Sequence, residues 1–224
     1  MNTIIRTLLY EWQDRKLPYI LERDTHVDTS AQQGTHNATV ITGFRRVGKT
    51  YMLYEAIEKL FKTGRHRDEV VYINFEDERI IAPATDLLTD LLPEIQAVYG
   101  KKPQYLFLDE LQLIPHWSKW VRRILDTEKI QLFITGSSSK MSSAELPTEL
   151  RGRAWEVTVT PLTFREFVRF KQTHIDFEKL TLVKNEMARF RFLFDEYLNY
   201  GGLPAVVLTS QEKKQELLQS YFQT

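Results

Sequence analysis

One short segment constrains this chain more than any other: Gly43-Phe-Arg-Arg-Val-Gly48-Lys49-Thr50, set between the β-type run Ala38–Thr42 and a helical pattern from Lys49 to Lys62. It fits G-x-x-x-x-G-K-[ST], and a strand-to-helix context is the one in which that pattern forms a phosphate-binding P-loop. Glycines let the backbone turn until successive N–H groups point inward at an anion. The helix that follows adds the positive end of its dipole. Lys49 is then expected to reach the β- and γ-phosphates of a nucleotide, and the Thr50 hydroxyl to hold Mg²⁺. The predicted cradle is Gly43, Phe44, Arg45, Arg46, Val47, Gly48, Lys49, Thr50 and Tyr51. For Arg45 and Arg46 two readings stand: charge beside the phosphates, or exposure to solvent or a neighbouring subunit.

A P-loop needs a parallel sheet around it, and the rest of the pattern supplies one. Ala38–Thr42, Glu69–Phe75, Tyr105–Leu108, Gln131–Thr135 and Trp155–Thr160 are β-type runs, separated by helical stretches near Lys49–Lys62, Thr85–Tyr99 and His116–Thr127. Tyr105–Leu108 is wholly apolar, as a strand buried on both faces is. His116–Thr127 places Trp117, Trp120, Val121, Ile124 and Leu125 on one side of a helix. The expected fold class is α/β, a five-stranded parallel sheet sandwiched by helices. A helix around Ile4–Gln13 precedes it. Past Pro161 only helices are expected, at Phe164–Lys171, Met187–Tyr200 and Glu212–Phe222, broken by Gly201-Gly202-Leu203-Pro204. The domain reading is a helical segment and loop over 1–37, a P-loop core over 38–162 and a helical lid over 163–224. The last helix meets the C-terminus without a Gly, Asn or Pro stop, so the lid reads as cut short.

The second chemical signal is Tyr105-Leu-Phe-Leu108-Asp109-Glu110, a buried strand ending in two acids. Asp109 at the strand tip is expected to hold Mg²⁺ through water. Glu110 is expected to orient the attacking water or take its proton. A kinase gains nothing from a water-activating acid, and the N/T-K-x-D guanine signature of a GTPase is absent, so the expectation is ATP hydrolysis. Ile134-Thr135-Gly136-Ser137 ends the next strand, where ligands of parallel sheets bind, so Thr135 and Ser137 are candidate γ-phosphate sensors. Their alternative role is an ordinary turn capping a helix. Glu149-Leu-Arg151-Gly-Arg153 offers arginines to neutralise transition-state charge, within the chain or across an interface; otherwise they are solvated. The turn Glu76-Asp77-Glu78-Arg79 reads as acidic surface more readily than as part of the site. His116, beside Trp117, reads as packing at a helix start.

Composition removes other classes. Thirty Lys+Arg balance thirty Asp+Glu over 224 residues, and residues 131–224 hold 12 basic and 11 acidic groups, which argues against a nucleic-acid-coating role. Without cysteine there is no disulfide scaffold and no thiolate metal site. No run of about 18 apolar residues suits a membrane span, and MNTIIRTLLYEW lacks signal-peptide features, so the expected location is the cytoplasm.

Seven motifs in order, GFRRVGKT, NFEDER, LDELQ, TGSSS, LRGR, PLTFREF and YLNYGGLP, together with LPYILERD before the P-loop, carry a family resemblance. The chain resembles the prokaryotic AAA+-like ATPases whose P-loop domain precedes a C-terminal domain of unknown function. The resemblance implies strand order 5-1-4-3-2 and a helical lid. It implies Lys49 and Thr50 as nucleotide and magnesium ligands, Asp109 and Glu110 as the Walker B pair, and Ser137 as sensor. Arg151 and Arg153 fall where such proteins place finger arginines, with the acting one left open. Members are similar in continuing for a further domain of about 150–200 residues, which this chain would lack. The expected activity is that of a Mg²⁺-dependent ATP hydrolase working as a conformational switch. The alternatives are a nucleotide-binding regulatory or scaffold module with negligible turnover and, less favoured, a DNA-dependent ATPase. The expected partners are ATP and a second copy or partner protein, with no membrane.

Overall fold

Five parallel strands form the sheet of the computed structural model, which describes residues 2–30, 37–80, 85–136 and 148–222. They are β1 (Ala38–Gly43), β2 (Val70–Asn74), β3 (Tyr105–Asp109), β4 (Gln131–Thr135) and β5 (Ala154–Val159), in spatial order β2-β3-β4-β1-β5. This is the order that the resemblance implies. The boundaries differ from the sequence reading by a residue or so: β2 is shorter than Glu69–Phe75, and β5 begins and ends one residue early.

Alternation along the strands divides the sheet into two faces. Val40, Val71, Ile73, Leu106, Leu108, Leu132 and Ile134 point to one face, in a core shared with α1 (Thr3–Asp14), α3 (Thr85–Tyr99) and α4 (Trp117–Thr127). The apolar stripe of α4 is the predicted one, since Trp117, Trp120, Val121, Ile124 and Leu125 are all buried. His116 does not pack there: it is exposed and occupies the residue before the helix with φ 58°. The other face carries Ile41, Tyr72, Phe107 and Phe133, with Phe107 and Phe133 stacked 4.4 Å apart. Helix α2 (Lys49–Lys62) buries Met52, Leu53, Ala56, Ile57 and Leu60, and its Tyr54 ring meets Tyr72 of this face at 5.2 Å.

Edge strand β2 would leave carbonyls unpaired. Helix α1 answers one of them, since the buried Trp12 indole N–H donates to the Val70 carbonyl at 2.8 Å. The N-terminal helix is thereby tied into the sheet. Arg67 in turn donates to the carbonyl of Trp12 at 2.6 Å, closing the end of α1.

The chain divides into two compact units, Met1–Arg45 with Lys49–Val159, and Arg46–Gly48 with Thr160–Thr224. The second unit contains α5 (Phe164–Phe170), α6 (Lys184–Tyr200), α7 (Pro204–Leu208) and α8 (Lys214–Phe222). Sequence reading misses the short α7, whose first residue is the Pro204 of the expected break. Thr163 and Glu166 form a reciprocal capping box that starts α5. Phe164 packs edge-on against Phe190, Phe194 and Tyr197 of α6, with centroids 5.3–5.5 Å apart. Buried Glu196 accepts from Lys171 at 3.1 Å and pairs with Lys214 at 3.2 Å, so neither its charge nor that of fully buried Lys214 lacks a partner.

Gly202 is closely packed against the backbone of Leu162. Its carbonyl accepts from Leu162 N–H at 2.7 Å, and a Cβ there would stand 2.3 Å from the Leu162 carbonyl oxygen. Gly202→Ala is expected to destabilise the C-terminal unit by about 1–3 kcal/mol, read as a lower urea midpoint by circular dichroism.

Candidate functional site

The P-loop follows the carboxyl end of β1, and its backbone explains its glycines. Gly43 has φ 146° and Gly48 φ 99°, both in the region that favours glycine. Arg46 adopts φ 70° as a non-glycine residue, a sparsely populated conformation of the kind that collects at ligand-binding loops. Phe44, Arg45 and Arg46 are exposed and Val47 is buried. Arg45 makes a loose surface pair with Glu76, 3.6 Å away. Arg46 lies over the ring of Tyr221 at 3.5 Å. Tyr51 is half exposed and meets Tyr54 edge-on.

Lys49 is the first residue of α2 and only 5% exposed. Its Nζ donates to the carbonyls of Gly43 at 3.2 Å and Phe44 at 3.0 Å, so the loop's own backbone holds the ammonium in place. Burial pulls its pKa below the ordinary lysine value, and the negative charges of Glu110 and Asp109 oppose that shift. The two acids are thus electrostatic neighbours of Lys49.

Asp109 ends β3 and is 1% exposed. Its carboxylate takes hydroxyl donors from both sides: Tyr72 of β2 donates to Oδ2 at 2.8 Å, and Thr135 of β4 donates to Oδ1. Thr135 is fully buried and does a second thing. Its Oγ1 accepts from the backbone N–H of Glu110 at 2.9 Å. That bond supports Glu110 in the left-handed region, φ 53° and ψ 39°, which turns the chain sharply after the strand. The Gln112 amide donates to Glu110 Oε2 and holds the second carboxylate.

Sequence reasoning missed Tyr72, Tyr54 and Gln112. Tyr72 is held protonated by burial, reinforced by the Asp109 charge, and it accepts a bond from Tyr54 of α2 at 3.3 Å. The missing signal was the β2–β3 register, in which Asn74 is paired with Asp109 and Tyr72 with Phe107. Of the two sensor candidates, Thr135 lies among the acids, while Ser137 falls outside the described residues.

The arginines are elsewhere. Arg153 precedes β5, and its carbonyl accepts from Ala38 N–H at the start of β1, whereas the P-loop follows the end of β1 at Gly43. Five strand steps separate the two ends, about 17 Å at 3.3 Å per residue, farther than an arginine side chain extends. The Arg153 guanidinium is ion-paired with Asp126 of α4, and Arg151 is exposed in the same turn. Action of either arginine on the phosphates of its own chain is therefore not supported by the geometry. The turn after β2 is a salt-bridged surface: Arg79 binds Asp77 at 2.8 Å and Glu11 of α1 at 2.5 Å.

Among the described residues no three His, Cys, Asp or Glu side chains gather into a ready-made metal site. The oxygen donors Thr50 and Asp109 suit a hard cation that takes its remaining ligands from phosphates and water, as magnesium does. Thr135→Val leaves the Asp109 Oδ1 and the Glu110 N–H without a partner. It is expected to lower stability by about 2–4 kcal/mol by chemical denaturation, with Thr135→Ser recovering most of the loss.

Comparison with known proteins agrees with this geometry. An uncharacterized protein of Methanocaldococcus jannaschii, MJ1544, is 42% identical over 183 residues, covering 81% of this chain and 39% of the relative. An uncharacterized protein of Haemophilus influenzae is 29% identical, covering 91% and 48%. The chain thus spans less than half the length of these curated relatives. Among solved structures, the S. cerevisiae Hsp104–ADP complex superposes with a TM-score of 0.55 at 14% identity, over 95% of this chain and 34% of that one. The Hsp104–casein complex in its extended conformation gives 0.53 at 14% identity, over 90% and 38%. At such identity the likeness concerns the fold alone. Among the described residues no helix is long and apolar enough to cross a membrane. The family model described as AAA domain matches residues 35–168, more than half of the chain, and the chain belongs to that family of nucleotide-binding, ATPase-like P-loop proteins.

Proposed function

We propose that this chain binds ATP and hydrolyses it with the help of Mg²⁺, as an AAA+-type conformational switch. The observation that carries the reading is the convergence of Lys49, Asp109, Glu110 and Thr135: one hydroxyl bonds the Asp109 carboxylate and the Glu110 N–H, and both acids act on the Lys49 charge. In this reading the loop N–H groups and the start of α2 receive the phosphates, and Lys49 exchanges its carbonyl partners for phosphate oxygens. Thr50 and Asp109 hold magnesium, which supplies charge neutralisation between the phosphates. Glu110, steadied by Gln112, orients the attacking water and accepts its proton.

Arg151 and Arg153 enter this scheme only from a second copy, because their turn lies beside the start of β1, at the opposite end of that strand from the P-loop of their own chain. Hydrolysis in a ring or dimer then depends on assembly, while binding does not.

ATP with Mg²⁺ at about a hundred times its Kd is expected to stabilise the protein by about 2.7 kcal/mol, seen as a thermal shift that Lys49→Ala abolishes. Glu110→Gln is expected to keep the shift and slow phosphate release by about 10²–10⁴-fold. Absence of any shift in the unmodified protein would sink the reading. Specific activity should rise with protein concentration, and Arg151→Ala or Arg153→Ala should flatten that rise; turnover independent of concentration removes the trans arginine.

A further inference from the structure

The carboxylate of Asp109 is an acceptor-only group buried at the tip of β3, and each of its oxygens receives one hydroxyl proton. A carboxylate has about four lone-pair sites, so among the described residues one on each oxygen is left for a further ligand. The torsion that turns a carboxylate about its bond to Cβ is soft. Its plane is therefore set by whatever donors grip it, here Tyr72 from one neighbouring strand and Thr135 from the other.

Tyr72 can do this because of register. It lies one pleat behind Asn74, the residue paired with Asp109, so its side chain shares the face of Asp109 and reaches it diagonally. The ring is fixed by neighbours: Trp12 at 5.5 Å, Tyr54 at 5.2 Å and the Arg15 guanidinium 5.5 Å from its centre. The hydroxyl that grips Asp109 also accepts from Tyr54, four residues after Thr50 and so on the same side of α2. A line of hydroxyls thus runs from the helix that opens with Lys49 and Thr50, through β2, to the acid on β3.

We propose that Tyr72 is a positioning residue that orients the Asp109 carboxylate for the divalent cation bound with the nucleotide, with Tyr54 bracing it from α2. The inference rests on the nucleotide reading above and adds to it a residue outside both the P-loop and the acidic pair. Outer-shell partners of metal-binding groups typically change metal affinity 10–100-fold when removed.

The test uses the full chain with ATP and Mn²⁺, free Mn²⁺ being followed by its electron paramagnetic resonance signal, and ATP affinity being measured separately in EDTA. Tyr72→Phe keeps the ring and its stacking and removes only the hydroxyl. It is expected to weaken Mn²⁺ binding to the protein–ATP complex by about tenfold or more while leaving ATP affinity in EDTA unchanged. Tyr54→Phe is expected to produce a smaller loss in the same direction. Equal Mn²⁺ affinity in Tyr72→Phe and the unmodified protein overturns the inference, as does an equal loss of ATP affinity in EDTA, which marks a general structural role. An unmodified protein that binds ATP no better with Mn²⁺ than without it overturns the nucleotide-site reading and this inference together.

Discussion

A negative charge buried at the end of an apolar strand has to be compensated, and the interior of this sheet is arranged around that need. Asp109 is almost wholly removed from water, and an isolated carboxylate there would be strongly disfavoured. Two hydroxyls on the flanking strands and the nearby ammonium of Lys49 supply the compensation. Each of these groups comes from a different element, so the charge is tolerated only when β2, β3, β4 and the start of α2 are assembled together. The fold and the candidate site are one physical arrangement rather than a scaffold with chemistry added to it.

Lys49 is held by the same logic. Burial disfavours its charge, two loop carbonyls and two acids favour it, and the balance leaves a cation already desolvated and aimed into the loop. Preorganisation of this kind is what electrostatic catalysis requires, since little reorganisation remains to be done when charge develops. Gly43 ends β1 with φ 146° and Glu110 follows β3 with φ 53°, and positive φ angles tend to gather around ligands.

Much of this was legible in the chain before folding. The P-loop could be read because its requirements are local: glycine where φ is positive, lysine and threonine where a helix begins. Strand β3 was legible because a strand buried on both faces becomes a continuous apolar run. Three things were not legible. Tyr72 looked like one more aromatic in VVYINF, since nothing in that run says which residue of β3 it will face. The short helix α7 was hidden by its Gly-Gly-Leu-Pro lead-in, which also marks a break. The arginines of LRGR fall where the family resemblance places finger arginines; the parallel pairing of β5 with β1 puts them at the opposite end of the strands from the P-loop.

By itself, then, the sequence determined the type of chemistry: a phosphate cradle, an acidic pair, and the parallel α/β frame that such motifs demand. These are properties of contiguous residues, where spacing translates directly into backbone shape and helix face. Only the tertiary structure decided which groups meet. It joined Tyr72, Thr135 and Asp109 across three strands, turned Glu110 onto the Thr135 hydroxyl, and separated Arg151 and Arg153 from the loop of their own chain. Register and strand order come from the summed packing of both sheet faces, and no local stretch of residues contains that sum.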